Sequence, residues 1–178
     1  MKITQDNTLF VMIDMQEKFR DAIFDLERIE KNINILNHAS EALYIPLIYT
    51  EQNPKGLGET MLEIYRPKNA KKFEKTKFSI FTKEIEEAIK KFNIKNLVLF
   101  GIEAHVCISQ SAMDAMEKGY NVFLVQDALS SRTEANKKIA INRMREKGSD
   151  VISTEMLLFE IIQNSKHPAF KKIASLIK

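Results

Sequence analysis

The feature that most constrains the fold is a repeated alternation of short apolar runs with longer stretches of helical periodicity. Runs such as LFVMI and NLVLF are rich in Val, Ile, Leu and Phe, as strands buried on both faces require. Because helical stretches separate these runs, the alternation predicts an α/β fold in which helices cover a parallel sheet.

The predicted elements are strands and helices in alternating order. We place strands at Thr8–Asp14, Ile45–Thr50, Lys72–Lys75, Asn96–Phe100, Asn121–Val125 and Asp150–Ser153. We place helices at Leu26–Leu43, Thr82–Phe92, His105–Lys118, Thr133–Lys147, Glu155–Asn164 and Pro168–Ile177. Gly119 and Gly148 mark two helix ends, and Ser131 with Glu134 predicts a capping box. Together, residues 1–178 are expected to form one domain.

The longest irregular segment runs from Gln52 to Lys71. It contains two prolines and two glycines, and its helical periodicity is weak even around Glu59–Tyr65. A connection of this length in a compact domain is more often a binding lid than a linker.

Charge and composition argue against nucleic-acid and membrane partners. The 27 basic and 24 acidic residues are mixed along the chain, which favours a solvated surface. One basic cluster, Lys68–Lys77, leaves RNA binding as a weaker alternative, because interleaved aromatic residues and arginine clusters are missing. The apolar stretch Leu97–Ile108 is too short to span a bilayer. The single cysteine, Cys107, and a first segment without an apolar run predict a cytoplasmic location.

Three residues that follow predicted strands are the catalytic candidates. Ligands of an open parallel sheet bind at the carboxyl ends of the strands, where the strand order reverses. Asp14 ends the first strand, Lys75 ends the third, and Cys107 lies just after the fourth. If the strand order is 3-2-1-4-5-6, Asp14 and Cys107 converge at the reversal. Lys75 then supplies the cation that a buried Asp14 needs.

Each candidate also has a structural interpretation. Cys107 fits a buried structural thiol, Asp14 a surface carboxylate or helix cap, and Lys75 a solvated lysine. The position of Cys107 in the first helical turn, together with Lys75, predicts that a thiolate is favoured despite the charge of Asp14. His105 fits a packing or pocket-lining role better than a Cys-His dyad.

Motifs for cofactors and metals are missing from the sequence. There is no G-x-G-x-x-G and no phosphate-binding G-x-x-x-x-G-K. The histidines His38, His105 and His167 are scattered and form no H-x-x-x-H or D-x-H pair. We therefore expect neither a nucleotide cofactor nor a bound metal.

Several segments resemble the isochorismatase-like cysteine hydrolase superfamily. LFVMIDMQEKF is similar to its first strand, KTKFSIF to its lysine motif, and LVLFGIEAHVCISQSAMD to its nucleophile turn. YTEQNPKGLGET, QDALSSR and HPAFKKI are closest to the isochorismatase domain-containing subgroup, so the resemblance covers about Asp6–Lys178. It implies a three-layer, Rossmann-like sheet of six parallel strands in the order 3-2-1-4-5-6, usually in homo-oligomers.

The resemblance also implies a chemistry. The family's lysine lies four positions before a serine, which selects Lys75 over Lys77. Asp14 takes the thiol proton, and Cys107 attacks a small amide or related carbonyl to form a thioester. Backbone N–H groups of Glu103 and Cys107 form the oxyanion hole, next to a cis peptide bond after Ile102.

The pocket of such a hydrolase is expected to have these lining residues: Gln16, Phe19, Gln52 and His105. The chain has Ala104 where the family often has Thr, so a hydroxyl contact is missing. It has Glu51, Gln52 and Asn53 where metal-binding nicotinamidases carry D-x-H, which favours an amidase without metal.

Two other functional classes stay open at this point. One is a non-catalytic small-molecule-binding or interaction module that retains the family pocket. The other is a redox-sensing thiol, although a resolving cysteine is missing. A homo-oligomer is expected, because apolar residues between Met156 and Ile162 cover more than one face of a helix.

Overall fold

A computed structural model describes residues 3–178. The strands are β1 (Thr8–Ile13), β2 (Leu47–Gln52), β3 (Lys71–Lys75), β4 (Asn96–Gly101), β5 (Asn121–Leu129) and β6 (Asp150–Ile152). They form one six-stranded sheet in the order β3-β2-β1-β4-β5-β6, and all neighbouring strands are parallel. The predicted fold class and strand order are therefore confirmed.

Helices connect the strands at the predicted places. They are α1 (Leu26–Ala42), α2 (Pro54–Leu57), α3 (Lys83–Lys90), α4 (Ser109–Glu117), α5 (Glu134–Glu146), α6 (Thr154–Ile162) and α7 (Phe170–Ile177). Short 3-10 helices cover Gln5–Asn7 and Glu17–Phe19, and a π-helical segment, Ala104–Ile108, precedes α4. The sequence pattern missed α2, and it ended β5 four residues too early.

The sheet is buried between two helical layers. The central strands β1 and β4 are buried at every position, as their continuous apolar runs predict. Helix α1 packs against α6 and α7, whereas α4 packs against α5. Both sets of helices contact the sheet through β5, so the core lies on both sides of the central strands.

The predicted capping box is wrong. The N-cap of α5 is Thr133, whose hydroxyl accepts a hydrogen bond from Asn136 N at 3.2 Å, so Ser131 and Glu134 form no capping box. Ser131 instead contacts His105 Nδ1 through its hydroxyl at 3.0 Å. The residues from Glu59 to Tyr65 form turns and an isolated bridge, as expected of the irregular segment.

The segment between β2 and β3 is fastened to the end of β1. Thr60 forms an isolated antiparallel bridge with Gln16, and Met61 N donates to Met15 O at 2.9 Å. The buried carboxylate of Glu51 accepts from both the backbone N–H and the hydroxyl of Thr60, each at 2.8 Å. These contacts hold the segment over the carboxyl end of the central strands.

Most apolar side chains of α6 are buried within the chain. Leu157, Leu158, Ile161 and Ile162 are buried, whereas Met156 is 60% exposed and Phe159 is 37% exposed. The spacing that predicted an outside partner is thus explained largely by packing against α1 and α7. Within residues 3–178, no helix combines the length and apolar character needed to cross a membrane.

Candidate active site

The site forms where β1 and β4 lie side by side at the reversal of strand order. Asp14 follows β1, and the segment that carries Cys107 follows β4. Gly101 makes the close approach possible, because a Cβ there would lie 2.2 Å from Ile13 O. Its φ of +111° is also one that L side chains rarely adopt.

Asp14 is a buried carboxylate with two side-chain partners. It has left-handed backbone geometry, with φ of 52°, and its side chain is 1% exposed. Oδ1 accepts a hydrogen bond from the Thr50 hydroxyl at 2.6 Å, and Oδ2 accepts from Lys75 Nζ at 2.7 Å. The predicted pairing of Asp14 with Lys75 is therefore present.

Lys75 uses its three ammonium hydrogens within the site. Besides Asp14, Nζ donates to Gln52 Oε1 at 2.8 Å and to Phe78 O at 3.1 Å. The Lys75 side chain is fully buried, so the orientation of the ammonium is set by these acceptors. Lys75 is the last residue of the edge strand β3 and the only one of its five residues that is buried.

Cys107 lies in the π-helical segment after β4 and is 7% exposed. The pKa of its thiol is raised to about 12, mainly by burial and then by the charge of Asp14, while Lys75 opposes the rise. Asp14 and Lys75 are the two charged groups that shift this pKa, so the buried pair lies close to the thiol. The predicted thiolate at rest is wrong, because burial and Asp14 together outweigh Lys75.

The turn between β4 and Cys107 is held from several sides. The peptide bond between Ile102 and Glu103 is cis, as the resemblance implied. The carbonyl of Glu103 accepts from Val106 N and Ile108 N, and its carboxylate lies 2.9 Å from Arg132 Nε. Ala104 N donates to the Ser130 carbonyl at 2.7 Å, which ties the turn to the end of β5.

Of the four predicted pocket residues, Gln16 and Gln52 are buried, and Phe19 and His105 are half-buried. Gln16 is fully buried, and its amide group binds the backbone of Gln52 and Gly58, so it braces the loops. The Gln52 side chain reaches Lys75 and donates to Thr76 O. Phe19 and His105 are half-buried, Phe19 packs against the core, and His105 pairs with Ser131.

Sequence reasoning missed two hydroxyl groups that position the site. Thr50 holds Asp14, and Ser111 donates to Cys107 O at 2.6 Å while accepting from Ile80 N at 3.0 Å. Ser111 thus joins the Cys107 segment to the loop that follows Lys75. The position of Ser111 one helical turn after Cys107 indicates the contact with Cys107 O. The second partner, Ile80 N, is identified only by the fold.

Residues at the position of the nicotinamidase metal motif have other partners. Both Glu51 oxygens are engaged, one by Thr60 and the other by Lys72 Nζ at 3.0 Å. Burial raises the pKa of Glu51, but these hydrogen bonds outweigh it and leave the pKa lowered. Among residues 3–178, no group of three or more His, Cys, Asp or Glu side chains could hold a metal ion.

A cavity of about 440 Å³ opens beside the site on the β3 side. Lys75 lines it together with residues from the segment after β2 and from the start of α3, but neither Asp14 nor Cys107 does. Of the three candidate residues, only Lys75 therefore reaches this cavity.

The fold and site define an α/β protein with a buried cysteine, aspartate and lysine at the carboxyl edge of its sheet. The family model described as "Isochorismatase domain" matches residues 8–156. The chain belongs to this hydrolase family. It is 37% identical over 177 residues to isochorismatase domain-containing protein 2 of Xenopus laevis, covering 99% of this chain and 86% of the relative.

Solved structures agree with the fold. The "Structure of MAR1 Ribonuclease from Caenorhabditis elegans" has a TM-score of 0.96 and 36% identity, covering 99% of this chain and 92% of that one. The YcaC gene product of Escherichia coli, described as an octameric hydrolase of unknown specificity, has a TM-score of 0.92 and 20% identity. This match covers 99% of this chain and 89% of that one.

Proposed function

We propose that the protein is a metal-independent cysteine hydrolase that cleaves a C–N bond in a small amide or a related carbonyl compound. The observation that carries this proposal is the buried Asp14–Lys75 ion pair close to the buried thiol of Cys107, whose pKa both charges shift. A purely structural cysteine has no need of a buried ion pair beside its sulfur, and burying such a pair is costly.

The first step is acylation of Cys107. Because the thiol is neutral at rest, it needs a base in contact with it. The Asp14 carboxylate accepts the thiol proton as the sulfur forms a bond to the substrate carbonyl carbon. Lys75 stabilises the negative charge while it moves from the carboxylate to the sulfur.

The tetrahedral adduct carries its charge on the former carbonyl oxygen. We assign its stabilisation to the backbone N–H groups of Glu103 and Cys107, which flank the start of the helical segment. The C–N bond then breaks, and Asp14 returns its proton to the departing nitrogen. Water attacks the thioester as Asp14 takes one of its protons. The C–S bond then breaks, Asp14 returns this proton to the Cys107 sulfur, and the acid product leaves.

The burial of the site favours a small substrate. Cys107 is only 7% exposed, and the segment after β2 is fastened over the end of β1. Metal-independence is supported by Glu51, whose two oxygens are both engaged by protein groups. Water attack on a carbonyl needs no Lewis acid when a thioester intermediate divides the reaction into two steps.

A panel of small amides and ureides tests the proposal, with Cys107→Ala as the blank. Rapid acid quench during turnover should trap an added acyl mass on the peptide that contains Cys107. Lys75→Ala should abolish turnover, whereas Lys77→Ala removes a 58%-exposed lysine nearby and should not. If no member of a broad panel is hydrolysed, a non-catalytic binding module becomes the better reading.

RNA cleavage is the second candidate, because the similar C. elegans structure is described as a ribonuclease. Two exposed lysines of the basic cluster already have acidic partners, which weakens this candidate. Lys72 pairs with Glu51 and Glu74, and Lys77 lies 3.6 Å from Asp114. Incubating labelled single-stranded RNA with the wild type and Cys107→Ala decides between the two. Cleavage that disappears in Cys107→Ala would favour the ribonuclease.

We further propose that residues 1–178 act as one cytoplasmic domain and assemble as a homo-oligomer. A lone free thiol suits a reducing compartment. The exposed side chains of Met156 and Phe159 form the apolar surface of α6 that is left for a second copy. Light scattering at micromolar concentration tests the assembly, and a monomer would contradict it.

A further inference from the structure

Lys137 is a buried lysine that the proposed chemistry does not use. It lies on the inner face of α5 and is only 6% exposed. Its Nζ is buried and has no hydrogen-bond partner within residues 3–178. An ammonium group placed in this way is costly to bury unless something negative meets it.

Lys137 lines a cavity of about 230 Å³ between the start of α1 and the outer turns of α5. Three further cationic side chains line the same cavity: Arg28, Lys138 and Arg145. Glu134 is the one carboxylate among its lining residues. The cavity is smaller than the roughly 300 Å³ at which sites for drug-sized ligands begin, so it suits a small anion.

Two of these cations already have ionic partners. Arg28 Nε lies 2.9 Å from Asp25 Oδ2, and Lys138 Nζ lies 2.9 Å from Glu134 Oε1. The pair with Glu134 uses the only carboxylate that lines the cavity. Ion pairs therefore neutralise two of the four cations. The other two are Lys137 and Arg145.

Within the described residues, the remaining two cations have no ion-pair partner. The Arg145 guanidinium donates only to the neutral amide of Asn142, at 3.4 Å, and Lys137 Nζ has no hydrogen bond. Burial lowers the pKa of Lys137, Arg28 lowers it further, and Asp25, Asp127 and Glu134 raise it only through longer-range charge. A ligand with two negative charges would neutralise both cations.

We propose that the cavity between α1 and α5 is a binding site for a phosphate group, separate from Cys107 and independent of the chemistry proposed there. Lys137 and Arg145 bind its oxygens, and the amides of Gln126 and Asn142, which also line the cavity, are available as neutral donors. The phosphate is either inorganic phosphate or the headgroup of a small monoester.

Calorimetric titration with inorganic phosphate and with phenyl phosphate, in chloride buffer of constant ionic strength, tests the site. One saturable site is expected. Lys137→Met should weaken its affinity at least tenfold, and Arg145→Gln should also weaken it. Lys147→Met is the matched control, because Lys147 caps the same helix but does not line the cavity. Tighter binding of phenyl phosphate would identify the ligand as a monoester, and tighter binding of phosphate would identify the free ion.

Thermal unfolding separates binding from a purely structural role. Without phosphate, Lys137→Met should have a Tm equal to or above that of the wild type, because an unpartnered buried charge is removed. Phosphate should raise the Tm of the wild type and leave that of Lys137→Met unchanged. The proposal is overturned if neither probe saturates, if Lys137→Met binds like the wild type, or if it has a lower Tm without phosphate.

Discussion

Lys75 Nζ lies 2.7 Å from Asp14 Oδ2, and both side chains are almost completely inaccessible to solvent. The two residues are separated by 61 positions in the chain and are brought together because β2 lies between β1 and β3 in the sheet. Neither charge is stable in such a place without the other. The pair also influences the Cys107 thiol, so the three side chains form one electrostatic unit.

Substitutions of Asp14 and Cys107 should therefore have non-additive effects on activity. Asp14→Asn removes the base, and Cys107→Ala removes the nucleophile, so each should reduce kcat to near the uncatalysed level. The double variant should be little worse than either single one, because no step remains for the second change to slow. Steady-state rates of all three on one substrate provide the measurement. Losses that multiply would show that the two residues act independently.

Thr50 should act as a positioning residue for Asp14. Its hydroxyl donates to Asp14 Oδ1 at 2.6 Å, and a hydrogen bond to a charged group contributes about 1.5–3 kcal/mol. Thr50→Val should therefore lower kcat about tenfold or more, with little change in KM, because Thr50 is buried and its hydroxyl is used by Asp14. Thr50→Ser keeps the donor and should restore most of the rate. An equal loss in both variants would mean that packing, and not the hydrogen bond, matters.

Activity should survive removal of metal ions. One carboxylate oxygen of Glu51 accepts from Thr60 and the other from Lys72, so neither is free to bind a cation. Dialysis against a strong chelator should leave kcat unchanged, and added zinc, iron or manganese should not increase it. Activity that disappears with the chelator and returns with one of these metals would contradict the proposed metal-independence.

The strand ends made the main residues predictable. Asp14, Lys75 and Cys107 each follow an apolar or edge strand, and a parallel sheet brings such ends to one edge. The second partners were not predictable, because they depend on contacts across the fold. Thr50 looks like any strand residue until β1 and β2 are paired with Ile13 opposite Thr50.

Burial explains most of the remaining errors. The charges around Cys107 were readable from the sequence, but its 7% exposure was not, and burial is the largest cause of its raised pKa. The burial of Lys137 was likewise not readable, since a lysine in a charged helix is typical of a solvated face. Ser131 fitted a capping box, but the helix begins two residues later and His105 takes the serine hydroxyl.

Gly101 should be sensitive to replacement for two separable reasons. Alanine at either Gly101 or Gly119 adopts an unfavourable positive φ, which costs roughly 1–2 kcal/mol. At Gly119 a Cβ meets nothing within 4 Å, whereas at Gly101 it lies 2.2 Å from Ile13 O. Gly101→Ala should therefore reduce the free energy of unfolding clearly more than Gly119→Ala does. Denaturant unfolding measures the free energy of unfolding of both variants. Equal losses of stability would show that β4 and β1 can move apart enough to accommodate the Cβ.

The alkylation of Cys107 should depend on pH in the manner of a neutral thiol. Its pKa is raised to about 12 by burial first and by Asp14 second, while Lys75 lowers it. The thiolate is the reactive form, so the iodoacetamide rate should rise roughly tenfold per pH unit from pH 7 to 9.

Substitutions beside the thiol should then separate its reactivity from catalysis. Asp14→Asn removes the nearby negative charge, which lowers the pKa of Cys107, so alkylation at pH 7.5 should become faster. Lys75→Met removes the opposing cation and should make it slower. Turnover should be lost in both variants, because catalysis needs Asp14 as a base as well as a reactive sulfur. The urea-unfolded protein supplies the rate of an ordinary thiol for comparison. A native rate that is fast and constant across this pH range would show a thiolate at rest, and Asp14 would then have no proton to remove.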